Sequence, residues 1–172
     1  MSEKQRVYLL VSLSFAIILF IILFIKYENS KSTYDRISEY VNVGLVLQKD
    51  TQQDFKLKDI DISFIRDSFN DVHVLFFSKH RVIHYVYFKS KEMEGQRVYW
   101  KAGRYEQMQL FAGVIYDERI NQLSINGITD NQLLKVDYDR RSYYLSITPE
   151  SQTEPIMIKG YSKNNELIYS NE

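Results

Sequence analysis

The chain has 172 residues, 22 basic and 22 acidic side chains, and no cysteine. This composition excludes disulfides, thiol nucleophiles, thiolate zinc sites and iron–sulfur clusters, and also the cysteine that a bacterial lipoprotein must carry. The charge balance holds after the apolar N-terminal stretch, because the head before it removes only Glu3, Lys4 and Arg6. No broad field therefore selects nucleic acid or an anionic surface.

A short polar head, Met1 to Arg6, precedes a run from Val7 to Ile25 that contains no charge, no Gly and no Pro. A helix of ~19 residues covers about 28 Å, close to the roughly 30 Å hydrocarbon core of a bilayer. Such a helix satisfies its own backbone hydrogen bonds, and lipid covers its side chains. A secretory signal would have a shorter apolar region and a small-x-small cleavage site. Only Ser30-Lys31-Ser32 approaches such a site, after a much longer run, so the stretch reads as an uncleaved signal-anchor. Lys4 and Arg6 flank one side and Lys26, Lys31 and Arg36 the other, so the positive-inside rule gives little bias. The basic cluster at the N-terminus favours a cytoplasmic head with the following domain outside the cell membrane.

Ser32-Thr33-Tyr34-Asp35 matches a capping box, and Tyr34, Ile37 and Val41 recur at helical spacing. A short amphipathic juxtamembrane helix is expected from Ser32 to Gly44. From Leu45 the period changes toward two. Phe55 and Leu57 alternate, as do Ile60, Ile62 and Phe64, although Ile62 to Phe69 would also suit a turn or two of helix. Val72 to Phe77 and Arg81 to Lys89 read as a hairpin around Ser78-Lys79-His80. Lys91 to Gln96 is a charged turn, and Arg97 to Ala102 follows, with Gly103 closing it. Further runs are Gln107 to Tyr116, Ile120 to Asn126, Leu133 to Asp139 and Ser142 to Thr148, the last stopped by Pro149. Gly127 begins a link, Pro155 opens Ile156 to Tyr161, and Leu167 to Tyr169 returns after a turn at Lys163 to Glu166.

About eight or nine short strands without long crossover helices imply a mainly β fold, an antiparallel sandwich or open barrel. It is joined to one N-terminal transmembrane helix and a short juxtamembrane helix. The expected organisation is a cytoplasmic head (1–6), a transmembrane helix (7–26), a juxtamembrane helix and linker (27–46) and an extracytoplasmic β domain (47–172).

Trp100-Lys101-x-Gly103, after a strand pair that begins Val-Leu-Phe-Phe, resembles a feature of small exported proteins of Bacillus-like Gram-positive bacteria. Gly113-Val114-Ile115-x-Asp117-x-x-Ile120 and the ending Ile158-Lys159-Gly160-Tyr161-x-x-Asn164-Asn165-x-Leu167-Ile168-Tyr169 resemble the same group. Most of these membrane-attached β-domain proteins are uncharacterised, and most are lipid-anchored; this chain departs in having a helical anchor. The resemblance implies an extracytoplasmic β domain and supplies no active-site residue.

No nucleophile elbow, P-loop, dinucleotide fingerprint or H-E-x-x-H motif occurs. His80 and His84 would align on a helix, but on a strand an offset of four separates them by about 13 Å, leaving only His73 to approach either across the hairpin. Asp59-Ile60-Asp61 is a D-x-D tripeptide, and Asp67 with Asp71 could form a loose calcium site; both read better as solvated loop. The expectation is therefore no cofactor and no metal. The 14 Tyr, 10 Phe and single Trp are the unusual numbers. Tyr85 and Tyr87 share one side of their strand. Aromatics beside basic residues suit a binding surface, so Tyr99, Trp100, Lys101, Arg104 and Tyr105 are the candidate interaction residues, with core or cross-strand filler as the commoner role of such aromatics. Ser12 and Ala16 form a small-xxx-small pair in the apolar stretch, a weak pointer to a homo-oligomer.

The expected role is a non-catalytic β domain presented to an envelope or membrane protein partner, with the lipid bilayer as the other partner. The alternatives are a hydrolase acting on cell-wall or lipid-linked material through carboxylates, and a membrane-bound sensor or regulator with its domain in the cytoplasm.

Overall fold

The computed structural model describes residues 3–41, 44–90, 96–126, 128, 132–149 and 156–171. The chain divides into two units, Met1–Glu39 and Tyr40–Glu172. In the first, helix α1 runs Glu3–Ser30 and helix α2 Thr33–Val41, the latter extending two residues into the second unit. Lys4–Ser30 is long and apolar enough to cross a membrane, and its apolar window is wholly exposed. The hydroxyls of Ser12 and Ser14 donate to the carbonyls of Leu9 and Leu10, so the few polar groups in the window are satisfied within the helix. The capping box forms as its sequence implies: Asp35 N–H donates to Ser32 Oγ at 3.2 Å, and Ser32 N–H donates to Asp35 Oδ2 at 3.0 Å. Lys31 bridges Glu28 and Glu39 at 2.7 and 2.8 Å, and these carboxylates, Glu28 first, hold its ammonium above the ordinary lysine range.

The second unit contains eleven strands among the described residues, more than the eight or nine expected, because several short runs each pair in their own right. They are β1 (Leu47–Leu57), β2 (Ile60–Asp67), β3 (Val72–Ser78), β4 (Arg81–Phe88), β5 (Val98–Tyr105), β6 (Met108–Ile115), β7 (Gln122–Ile125), β8 (Leu133–Tyr138), β9 (Arg141–Pro149), β10 (Ile158–Tyr161) and β11 (Leu167–Ser170). Three antiparallel sheets result, in the orders β1-β2-β3-β4, β5-β6-β9-β8 and β11-β10-β7. The segment Ile62 to Asp67 is strand, not helix; Phe64 pairs with Val74 and Ile62 with Phe76. Gly103 lies inside β5, opposite Leu110, and does not end it. Pro149 is the last residue of β9, opposite Met108 at the start of β6, where a missing N–H costs little. The turn expected at Lys91 to Gln96 lies outside the described residues but for Gln96, as do Gly127 and Pro155.

Period two explains the layers. Ile62, Phe64, Val74, Phe76, Val86 and Phe88 of the first sheet pack with Leu110, Ala112, Val114, Tyr143, Leu145 and Ile147 of the second. The opposite face of the second sheet presents Phe111, Ile115 and Tyr144 to Leu123, Ile125 and Ile158 of the third. The fold is thus a sandwich with the β5-β6-β9-β8 sheet in the middle, which is why β6 and β9 are buried on both faces. Polar clasps tie the layers together: Lys58 Nζ donates to Ile147 O at 2.8 Å, Tyr138 O–H to Thr51 O at 2.9 Å, and Arg97 Nη1 to Ile168 O at 2.7 Å.

Candidate functional site

The five expected interaction residues all fall on β5, an edge strand with β6 as its one neighbour in the sheet. Alternation splits them. Tyr99 and Tyr105 are half-buried against the core between the first two sheets. Trp100 packs against the core between the second and third, its ring stacked on Phe111 at 5.9 Å. Lys101 is exposed, with Nζ 5.8 Å from the Tyr99 ring centre, and Arg104 is exposed on the same side of the strand as Trp100. The strand therefore joins Tyr99, Lys101 and Tyr105 on one face and Trp100 with Arg104 on the other. Most of the aromatic area is spent on packing, and what β5 offers outward is cationic.

The three histidines are not brought together. His73 and His84 lie on opposite faces of the first sheet, His73 against Tyr85 and Tyr87, His84 against Phe76 and beneath Gly103. His80 sits in the two-residue turn between Ser78 and Arg81, where Lys79 and His80 both have positive φ, as a tight hairpin requires. Burial without a counter-charge pushes the His84 imidazole below its ordinary pKa.

Sequence reading missed a buried polar chain on the outer face of the first sheet. His73 Nε2 lies 3.1 Å from Asp67 Oδ2, and His73 Nδ1 lies 2.7 Å from the Tyr85 hydroxyl; Asp67 and His73 are completely buried. Asp67 Oδ1 also accepts the backbone N–H groups of Phe69 and Asp71, closing the turn between β2 and β3. Asp71 in turn accepts the Tyr87 hydroxyl at 2.5 Å and the Ser90 N–H at 2.6 Å. Burial outweighs the nearby carboxylates and lowers the His73 pKa, so the ring is neutral at pH 7, donating to Asp67 and accepting from Tyr85. Burial raises the Tyr85 phenol to about 12, and burial with the Asp71 hydrogen bond raises Tyr87 further. The signal for this chain was Tyr85 and Tyr87 sharing one strand face. What remained hidden was the register, which sets Tyr87 opposite His73.

All four carboxylate oxygens of Asp67 and Asp71 already face donors, so a calcium ion there would have to displace a hairpin's own hydrogen bonds. Asp59 and Asp61 are exposed around the β1–β2 turn. Among the described residues, no group of three or more His, Asp or Glu side chains is arranged to hold a metal. The network's chemistry is that of a rigid, satisfied polar core. Its hydrogen bonds tie the β2–β3 turn to β4 and to Ser90 beyond it. No family of known proteins, no curated protein and no solved structure matches the chain.

Proposed function

We propose that the chain is a single-pass membrane protein that presents a non-catalytic β domain, outside the cell membrane, to an envelope or membrane protein partner. The observation that carries the reading is the exposure of α1: its large apolar side chains from Tyr8 to Ile25 are between 47% and 74% exposed, and a bilayer is the medium in which that surface is stable. The non-catalytic half is supported by the buried carboxylates Asp67 and Asp71, whose oxygens are taken up by the β2–β3 turn, His73, Tyr87 and the Ser90 N–H. Edge strand β5, with Lys101 and Arg104 outward, suits strand addition or an acidic partner surface.

The test combines a reporter fused at the C-terminus with crosslinking in intact cells after an alkaline membrane wash. Retention in the membrane, an external reporter and capture of one membrane protein are expected. An internal reporter would favour the cytoplasmic sensor. Release by the wash, or recovery only as a free monomer, would remove the reading.

A further inference from the structure

One end of the sandwich gathers arginines from strands distant in sequence. Arg66 near the end of β2, Asn70 in the following turn, Ser90 after β4, and Asp139, Arg140 and Arg141 at the β8–β9 turn line a cleft of about 550 Å³. Arg66 Nη1 bonds Asp139 Oδ1 at 2.8 Å, and the Arg141 guanidinium lies 4.8 Å over the Tyr116 ring. Arg140 is exposed and has no ion pair among the described residues. Among the described lining residues, three guanidiniums thus meet one carboxylate, and the excess charge matches a doubly charged anion. Guanidinium binds phosphate oxygens through paired N–H donors, and Asn70 and Ser90 add neutral donors. The turn has the same backbone form as the one at Lys79 and His80. Asp139 and Arg140 both have positive φ, 48° and 62°, a conformation in which glycine is the favoured second residue. A long cation occupies that position instead, at some conformational cost. The cleft is also within the size range of small-ligand sites, so there is room for an organic group beyond the phosphate.

We propose that this cleft binds the phosphomonoester group of an organic ligand, either a lipid headgroup or a soluble phosphate ester. The test uses the full chain in phosphatidylcholine nanodiscs, titrated calorimetrically with glycerol 3-phosphate, and in discs doped with phosphatidic acid, whose retained lipid is read by native mass spectrometry. Wild type should bind one or both probes. Arg140→Gly should weaken that binding at least tenfold while leaving the melting temperature equal or higher, since glycine suits the turn. Arg140→Lys should retain most of the affinity. Phosphatidic acid that is retained and that blocks glycerol 3-phosphate marks a lipid source. Glycerol 3-phosphate binding that persists in doped discs marks a soluble one. Absence of binding to both probes, or binding that Arg140→Gly leaves unchanged, overturns the proposal.

Discussion

Gly103 shows how a single residue carries information that its sequence neighbours do not. A Cβ built there would lie 2.2 Å from His84 Cε1 and 2.5 Å from Nδ1, and the imidazole is backed by the Phe76 ring, centre to centre 5.6 Å. The glycine is thus required for space and not for an unusual φ. Gly103→Ala should cost about 1–3 kcal/mol, the usual penalty for overpacking. In Gly103→Ala/His84→Ala the new methyl occupies room that the ring vacates, so the double variant should be more stable than the sum of the single losses by at least about 0.5 kcal/mol. Urea unfolding followed by Trp100 fluorescence measures all four members of the cycle. Strict additivity would mean that the two residues do not meet. In sequence, a glycine after an aromatic run reads as punctuation. Its partner lies on another sheet, and no local pattern names it.

At the scale of elements, period two made most strands legible: β3, β4, β6 and β9 fall within a residue or two of the apolar alternation that announces them. The capping box placed the start of α2 equally well. Two things were not local. Ile62 to Phe69 satisfies a helical spacing as well as a strand, and pairing with β3 decides it as strand up to Asp67 with a turn after it. The order β5-β6-β9-β8 depends on which faces meet across the core, which one strand's pattern cannot express. The candidate surface is a different case: alternation along β5 was readable locally and already sends its five residues to two sides, whereas which side meets which core was not. Trp100→Ala should therefore lower stability by about 2 kcal/mol, less than a fully buried Trp would lose, through its contacts with Phe111 and the second core. Lys101→Glu, exposed on the same strand, should stay within about 0.5 kcal/mol. Thermal unfolding of the two variants separates packing from surface, and a neutral Trp100→Ala would return the indole to the interaction surface.

For the whole molecule, the sequence divides labour between a helix whose apolar window is exposed and a domain that buries two cores within itself. The domain's stability should then carry an acid signature of its own. His73 and His84 sit on opposite faces of one sheet, and in both burial is the leading cause of a pKa below the ordinary 6.5. Protons therefore bind the unfolded chain more readily than the folded one below that value. The sign follows from linkage: stability is full above about pH 6.5 and falls as pH drops toward the depressed folded values. A protonated His73 would donate to both Asp67 and the Tyr85 oxygen, so what opposes protonation is burial of the imidazolium, offset only in part by the nearby carboxylates. Unfolding of the full chain in a neutral detergent, at intervals from pH 8 to 5, should give a plateau and then a decline beginning near 6.5. Gly103→Ala/His84→Ala removes one of the two buried imidazoles, so its decline should be shallower than that of wild type. A stability that stays flat to pH 5 would mean that both rings are protonated in the folded domain at little cost.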